Sequence, residues 1–529
     1  MRRIAAVVLG CALVAGAALL AWAPPSVATY LPDERIPTED AIYRDLERLA
    51  ARFGEAPRFL SSRPLRRAEA LAYLDALTAA HTEAAEDPAA RRARRALDPA
   101  SPGGHPALIT AQGENGERAE ISPYVSLLYS EDKRNLPEIN RDYRAGAAFA
   151  GAFDSSVVMV ADIYAGTASQ GGRGTPNFGT FNSLVEGVDF NTWVDEAYVE
   201  ARLGRVRLLA GHAWLRWGPG QDGTLALSDA APALDMVRAE VTAFRSWRLQ
   251  WFVSMLDPGP QTYLAGHRLE WSPCGRLTAG FTELARFDGT SQAPLYAMPM
   301  VPYSFWEKRP KSGTAGAIPG DSTGVALAKN NVLWSADVSW TPTRGWRAWG
   351  ELMVDDISFS RDYKPDLIGY QAGVEHRRAV RGGRDAVGAS VEYNRVNNYT
   401  YSAFHGHHFE HEGFPLGFEL GPDVASLEGE IAYERGAAWE FAVRGEWRKK
   451  GEGAIGDYYD KPAGGSVDAS AFAGTIAEEA RLSGRVAFQP SRRASVIATI
   501  GTSRHHNFQH EYSRRKDDTP VTIRGEFAW

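Results

Sequence analysis

The sequence predicts an all-β fold: a transmembrane outer-membrane antiparallel β-barrel of about 18 strands with a small N-terminal helical region. Three observations predict it. An export signal opens the chain, apolar and charged residues alternate from about residue 120 onward, and the chain stops on an aromatic residue. Past the signal, no apolar run is as long as the roughly 18 residues that a transmembrane helix needs. Strands with alternating polar and apolar residues can still cross the membrane as part of a barrel.

Residues 1–28 are expected to form a signal peptide. Arg2 and Arg3 precede a mostly apolar run, and small residues at positions 26 and 28 provide a cleavage site. An uncleaved anchor helix is the alternative, which the proline pair at positions 24–25 disfavours. Cleavage would leave Cys274 as the one remaining cysteine, so we expect no intramolecular disulfide.

Residues 29–119 are expected to form a helical region and a linker. Thr38, followed by two acidic residues, predicts a helix start, and Gly54 predicts its end. Pro64 and the Asp87-Pro88 pair predict the starts of two more helices. Helices this short bury little apolar surface alone, so we expect them to pack on something larger. The alternative is a free helical hairpin or a flexible linker.

Residues 120–529 are expected to form the barrel. Charged residues occupy one face of segment after segment, as in 197–203, 334–340 and 439–448, while the other face carries tryptophan or phenylalanine near strand ends. A soluble sandwich would instead pair two apolar faces and have loops of similar length at both ends. With roughly 22 residues for each strand and its connection, this region provides about 18 strands.

Three long connections and the last strand carry further predictions. Residues 287–331 and 394–424 are rich in aromatic residues and 450–476 are rich in glycine, so we expect the first two to fold over or into the barrel mouth. The last strand alternates and ends on Phe527 and Trp529, a pattern that the barrel insertion machinery reads. An ordinary edge strand is the alternative.

The segment His212–Glu240 breaks the strand pattern near the middle of the chain. It contains two tryptophans and an arginine followed by Gly-Pro-Gly at 218–220, which excludes helix and regular strand interior. We therefore interpret it as a shaped loop that the neighbouring strands hold in position.

The motifs of this segment carry a family resemblance. The runs WGPG at 217–220, LALSD at 225–229 and APALD at 231–235, with AGHRLEW at 265–271 and ELMVDD at 351–356, resemble the Wzi family of capsule-assembly outer-membrane proteins. The resemblance covers most of the chain after about residue 30. It implies an even strand number near 18, a periplasmic location for the helical region, and retention of capsular or extracellular polysaccharide at the cell surface. The expected surroundings are outer-membrane lipid and lipopolysaccharide.

A carbohydrate-binding site is predicted around the same segment. Indole rings stack on the C–H faces of sugars, and arginine pairs with carboxylate substituents through its planar fork. The residues that supply these groups are Trp214, Arg216, Trp217, Asp222, Arg238, His267 and Arg268. The alternative is that the charged residues form an ion-pair network in the lumen and the tryptophans an aromatic girdle. A charged lumen also leaves a porin for small solutes as the alternative function.

Other chemistries are not expected. His405, His407, His408 and His411 match no closed zinc pattern, so we predict neither a metal nor a cofactor. Asp355 and Asp356 are adjacent on a strand and point to opposite faces, which argues against paired-acid catalysis and for a non-enzymatic protein. A net charge of −7 disfavours nucleic acid as a partner.

Overall fold

The computed structural model describes most of the chain after residue 33. The described residues are 34–98, 108–114, 117–132, 139–153, 156–167, 177–181, 190–257, 261–289, 293–298, 301–307, 330–356, 365–403, 406–459 and 467–528. The expected signal peptide, Trp529 and His405 lie outside them.

Eighteen antiparallel strands close the barrel within the described residues, and the last strand pairs with the first. They are β1 Arg118–Glu131, β2 Ile139–Phe153, β3 Val157–Thr167, β4 Phe190–Leu203, β5 Val206–Ala213, β6 Leu234–Ala243, β7 Trp247–Asp257, β8 Thr262–Cys274, β9 Leu277–Asp288, β10 Asn331–Trp340, β11 Trp346–Asp356, β12 Leu367–Val380, β13 Asp385–Val396, β14 Val424–Arg435, β15 Trp439–Lys450, β16 Ala477–Ser491, β17 Ala494–His506 and β18 Val521–Ala528. The predicted fold class and strand number are therefore confirmed.

Shorter elements flank the ring. Segments Ile109–Gln112, Asn177–Phe181 and Arg515–Asp518 pair with β1, β4 and β17 respectively. Further short elements are the strand pairs Ser62–Arg63 with Arg216–Trp217 and Glu410–His411 with Phe414–Pro415, the helices Ala293–Tyr296 and Ser304–Glu307, and the 3₁₀ turns Thr82–Glu86, Arg381–Gly383 and Phe508–His510.

Residues alternate between the two faces of each strand, which places polar groups in the lumen and apolar groups outside. In β6, Val237 is 63% exposed on the outer face whereas the next residue, Arg238, is 1% exposed in the lumen. Exposed aromatic residues near both strand ends form girdles. Those at one end are Phe153, Trp247, Trp271, Trp340, Trp346 and Trp439, and those at the other are Tyr143, Trp334, Tyr370 and Trp447.

The two ends of the barrel differ in their connections. The short-turn end has connections of two to five residues, at 204–205, 244–246, 275–276, 341–345, 381–384, 436–438 and 492–493. The long-loop end carries the connections 214–233, 289–330, 397–423 and 451–476. This asymmetry is typical of outer-membrane barrels.

The N-terminal region contains three α-helices: α1 Ile42–Phe53, α2 Arg67–Ala80 and α3 Pro88–Leu97. Gly54 ends α1 with a φ of 75°, and the Asp87 side chain caps α3 by accepting from the Ala89 N–H. The second helix begins at Arg67, three residues later than Pro64 predicts, and the Glu69 carboxylate accepts from the Arg66 backbone N–H at 3.2 Å. Leucines from α1 and α2 share a small core with alanines of α3.

These helices dock against the short-turn end. The Ala56 N–H donates to the Gly275 carbonyl oxygen at 2.6 Å, and the Gly345 N–H donates to the Ala51 carbonyl oxygen at 2.7 Å. The Arg95 guanidinium donates to the Gln489 carbonyl oxygen at 2.8 Å. The region is therefore attached to the barrel rather than free. None of the helices in the described ranges is long and apolar enough to cross a membrane.

Candidate binding site in the barrel lumen

Residues 214–233, here called the infolded segment, leave the wall at the long-loop end and enter the lumen. Arg216–Trp217 forms a two-residue strand that pairs with Ser62–Arg63 of the N-terminal region. The Gly218 N–H donates to the Ser61 carbonyl oxygen at 2.8 Å. The infolded segment and the N-terminal region therefore meet inside the barrel, each having entered from a different end.

Glycines allow the infolded segment to lie close to the wall. Gly218 and Gly223 have φ values of 137° and 126°, which side chains of L-residues rarely tolerate. A Cβ atom at Gly218 would lie 2.7 Å from a carboxylate oxygen of Glu351. Glycine is therefore favoured at the start of the Gly-Pro-Gly run both by the backbone conformation and by the close packing against the wall.

Two wall carboxylates hold this segment by its backbone. Glu351 of β11 accepts from the N–H groups of Leu225 at 3.0 Å and Ala226 at 3.1 Å. Glu392 of β13 accepts from the Gln221 N–H at 2.8 Å. Backbone groups that leave a sheet need partners elsewhere, and these carboxylates provide them.

The connection 397–423 covers the infolded segment at the long-loop end. The Tyr401 hydroxyl donates to the Leu225 carbonyl oxygen at 2.6 Å and accepts from the Phe418 N–H at 3.1 Å. The Ser228 N–H donates to the Leu416 carbonyl oxygen at 2.8 Å. The expectation that residues 394–424 fold into the barrel mouth is confirmed for their described part. In 287–331, Tyr296 is likewise buried and stacks on Phe287.

Ion pairs join the helices to the wall at the short-turn end. Glu434 of β14 accepts from Arg377 of β12 at 3.0 Å, from Arg48 of α1 at 3.2 Å, and from Arg92 of α3. Glu47 of α1 is buried, which opposes ionisation, but Arg347, Arg63 and further arginines hold its pKa below the usual value.

The remaining lumen contains a solvent-accessible, charged chamber. It consists of two adjoining cavities of about 570 Å³ and 360 Å³, which share Arg44, Gln221 and Asp222 in their linings. Strands β13–β16 and the turn after β1 supply most of the charged groups, namely Asp132, Glu392, Glu428, Arg444, Arg481 and Arg485. The Arg444 and Arg485 side chains are 35% and 31% exposed, so both are available to a ligand.

The structure does not gather the seven predicted site residues into one surface. Trp217, Arg238 and Arg268 are each 1% exposed. The Trp217 indole N–H donates to Gln250 at 3.2 Å, Arg238 donates to the same side-chain oxygen at 2.7 Å, and Arg268 forms an ion pair with Asp337. Arg238 also pairs with Glu240 at 3.1 Å, so Arg238 and Arg268 both belong to the ion-pair network that the sequence leaves as the alternative.

The other four predicted residues lie in three places. Arg216 and Asp222 line the chamber, and Asp222 pairs with Arg444 at 2.6 Å. Trp214 is buried at the long-loop end, where its backbone N–H donates to Glu196 at 3.3 Å. His267 pairs with Glu283 at 3.0 Å. Sugar binding by these residues stays a prediction, and Arg216 and Asp222 are the two that face the chamber.

Sequence reasoning missed the chamber residues on the far wall. Arg444, Arg481 and Arg485 occur in segments whose alternation predicts strands, but many other strands carry the same pattern. Which charged faces meet water depends on where the infolded segment and the helices lie.

The histidine cluster is spread across the long-loop end. His407 lies 3.4 Å from Asp288, and the His408 ring accepts from the Ala403 N–H at 3.1 Å. Within the described part of the chain, no three histidines, cysteines or carboxylates are arranged to hold a metal ion.

These features define a class of protein: an outer-membrane β-barrel whose lumen is occupied by its own N-terminal region and by an infolded loop. Residues 129–511 match the family described as "Capsule assembly protein Wzi", and the chain belongs to this family.

Similar folds are found among solved structures. Wzi, an outer membrane protein involved in group 1 capsule assembly in Escherichia coli and described as a carbohydrate-binding β-barrel, has a TM-score of 0.60 and 15% identity over 93% of this chain and 99% of that chain. OprD of Pseudomonas aeruginosa has a TM-score of 0.42 and 9% identity over 78% of this chain and 95% of that chain. No curated protein matches this chain.

Proposed function

We propose that this protein is a non-enzymatic component of capsule assembly that binds and retains capsular or extracellular polysaccharide at the cell surface. The observation that carries the proposal is the occupied lumen with its polar, charged chamber, in a chain of the Wzi family. The carbohydrate binding described for the Escherichia coli relative supports it.

The chamber chemistry suits a sugar chain. Carboxylates such as Glu428 accept hydrogen bonds from sugar hydroxyl groups, and guanidinium groups such as those of Arg444 and Arg485 donate to hydroxyl or carboxylate oxygens. Each contact in a hydrated site is weak. A long polymer that engages many copies of the protein is nevertheless held firmly, because the sites act together.

The short turns of outer-membrane barrels face the periplasm and the long loops face outward. We therefore propose that the helical region is periplasmic and that the connection 397–423 lies at the cell surface. Protease added to intact cells should leave residues 34–98 intact. Cleavage there without disruption of the outer membrane would contradict this orientation.

A deletion strain tests the function. We expect polysaccharide to be made and exported but to appear in the medium instead of on the cells. The purified protein should leave the chain length of the polysaccharide unchanged. An unchanged coat together with lost uptake of a small solute would favour the porin alternative.

Conductance of the purified protein in planar bilayers separates the two functions directly. The infolded segment and the helices occupy the lumen from both ends, so we expect little ion current. A large, stable conductance would favour the porin.

A further inference from the structure

The charged groups that line the chamber are unequal in number. Among the described residues, carboxylates outnumber arginines by eleven to six, and neither lysine nor histidine contributes. The six arginines are Arg44, Arg63, Arg216, Arg444, Arg481 and Arg485. The balance of charge matters to a ligand, because a cavity with walls of low dielectric constant concentrates the field of the charges around it.

Each of the six arginines already has a carboxylate partner. Arg444 lies 2.6 Å from Asp222 and 3.1 Å from Glu446, and Arg481 lies 2.9 Å from Asp132. The remaining pairs are Arg485 with Glu430 at 3.1 Å, Arg44 with Glu375 at 3.1 Å, Arg63 with Glu47 at 2.7 Å and Arg216 with Asp229 at 3.4 Å. An acidic group of a ligand would therefore reach a guanidinium group only beside a carboxylate that already binds it.

Charges just outside the lining do not reverse the balance. Arg48 and Arg347 approach lining carboxylates at 3.7 Å and 3.6 Å. Carboxylates outside the lining approach its arginines as well, namely Glu440 at 2.6 Å, Glu375 at 3.1 Å and Glu479 at 3.2 Å. The excess of negative charge around the chamber therefore remains.

Uncharged hydrogen-bonding groups line the same wall. They are the side chains of Ser130, Ser390, Ser483, Thr499 and Thr522, together with Gln221 of the infolded segment. A sugar hydroxyl both donates and accepts hydrogen bonds. It can accept from an N–H of Arg444 while it donates to Asp222, which is paired with that arginine. Each half-exposed ion pair thus offers an uncharged sugar a donor and an acceptor together.

We propose that the chamber binds an uncharged, hydroxyl-rich stretch of a glycan and discriminates against sugar residues that carry carboxylates. This inference rests on the proposed function and names the class of sugar that the chamber takes. A carboxylate that enters the chamber loses hydration and meets like charges, which is costly. A polymer that contains both kinds of sugar is therefore bound through its uncharged residues.

A matched pair of polymers tests the proposal with the full-length protein in neutral detergent. The starting material is the polysaccharide that cells producing this protein release. In one portion the carboxyl groups are reduced to primary alcohols, and in the other the primary alcohols are oxidised to carboxylates. Binding to the immobilised protein is measured by biolayer interferometry. We expect the reduced polymer to bind about tenfold more tightly in about 20 mM salt, and the difference to shrink in about 0.5 M salt, which screens repulsion.

Substitutions locate the discrimination in the chamber. D222N/E428Q removes two carboxylates that contact Arg444, so the oxidised polymer should gain about threefold in affinity relative to the reduced polymer. The matched control is D75N/E511Q, which removes the same charge from exposed side chains outside the lining and should leave the discrimination unchanged. Heat-modifiable migration in electrophoresis checks that each variant is folded.

Several outcomes overturn the proposal. One is binding of the oxidised polymer as tight as, or tighter than, that of the reduced polymer, which would reject the inference and leave polysaccharide binding intact. Another is a preference that neither salt nor D222N/E428Q alters, because the chamber would then require the primary alcohol itself rather than the absence of charge. If neither polymer binds, the proposed function fails, and this inference fails with it.

Discussion

The two sides of the barrel wall use the same residue types in opposite ways. On the side formed by β6–β13, charged lumen groups are sealed: Arg268 and Asp337 pair at 2.5 Å with each side chain 1% exposed. On the side formed by β14–β18 and β1, several charged groups that line the chamber are wet: Arg485 pairs with Glu430 at 3.1 Å, yet its side chain is 31% exposed.

This contrast indicates two roles for the lumen charges. On the sealed side they position the infolded segment and the helices, because a buried charge without partners is costly. On the wet side they are screened by water, contribute little to stability and are available to a ligand. The following substitutions are ordered by their expected effect on stability.

The largest effect is expected for Glu434→Ala. This substitution leaves the guanidinium groups of Arg48, Arg92 and Arg377 without their shared partner, at a cost of about 3–5 kcal/mol. The helices should detach and become protease-sensitive in permeabilised cells. Glu428→Ala is the matched control, because Glu428 lies on the same strand but lines the chamber, and it should leave them resistant. Equal resistance of both variants would remove the distinction between sealed and wet charges.

Glu351→Ala should free the infolded segment. It removes the acceptor for two buried backbone N–H groups and for the Ser335 hydroxyl, which should cost about 2–3 kcal/mol. Hydrogen exchange across 214–233 should accelerate while the strands stay protected. Unchanged exchange in the folded variant would mean that this carboxylate does not hold the segment.

The connection 397–423 should loosen in acid. Burial lowers the pKa of His411 from 6.5 to about 4, with Arg286 and His212 adding to the effect and Asp235 opposing it. The pKa of His411 is lower in the folded state than in the unfolded state. The contribution of the neutral His411 side chain to stability is therefore fully present above pH 6.5 and is lost as the pH falls through about 4. We expect a loss of about 3 kcal/mol, measured by hydrogen exchange in this connection. His411→Gln should remove that pH dependence, and an unaltered profile in this variant would assign the loosening to another group.

The smallest effect on stability, below about 1 kcal/mol, is expected for R444A/R485A on the wet side. Its effect on function should be clear, because these side chains face the chamber. Cell-associated polysaccharide should fall and the released fraction should rise, with migration of the folded barrel unchanged. Retention equal to that of the wild type would show that the chamber is not the binding site.

The fold could be predicted because each strand shows a local pattern of alternating polar and apolar residues in the sequence. Segments such as 334–340 alternate with a period of two, which requires one polar and one apolar face whatever lies inside. The Gly-Pro-Gly at 218–220 likewise excludes regular structure locally. Helix starts were less well predicted, since α2 begins at Arg67 rather than at Pro64, and the Glu69 carboxylate accepts from the Arg66 N–H.

Local sequence patterns therefore predicted the barrel, the N-terminal helices and the shaped loop, because all of these depend on neighbouring residues, and the length of the alternating region gave an approximate strand number. Which charged residues are sealed and which are wet depends on the tertiary fold. Arg268 and Arg485 belong to equally alternating strands, but 1% of one side chain and 31% of the other remain exposed. Ser62 and Asp337 contact Arg268 from distant parts of the chain, so its burial depends on contacts between residues far apart in sequence, which local patterns do not record.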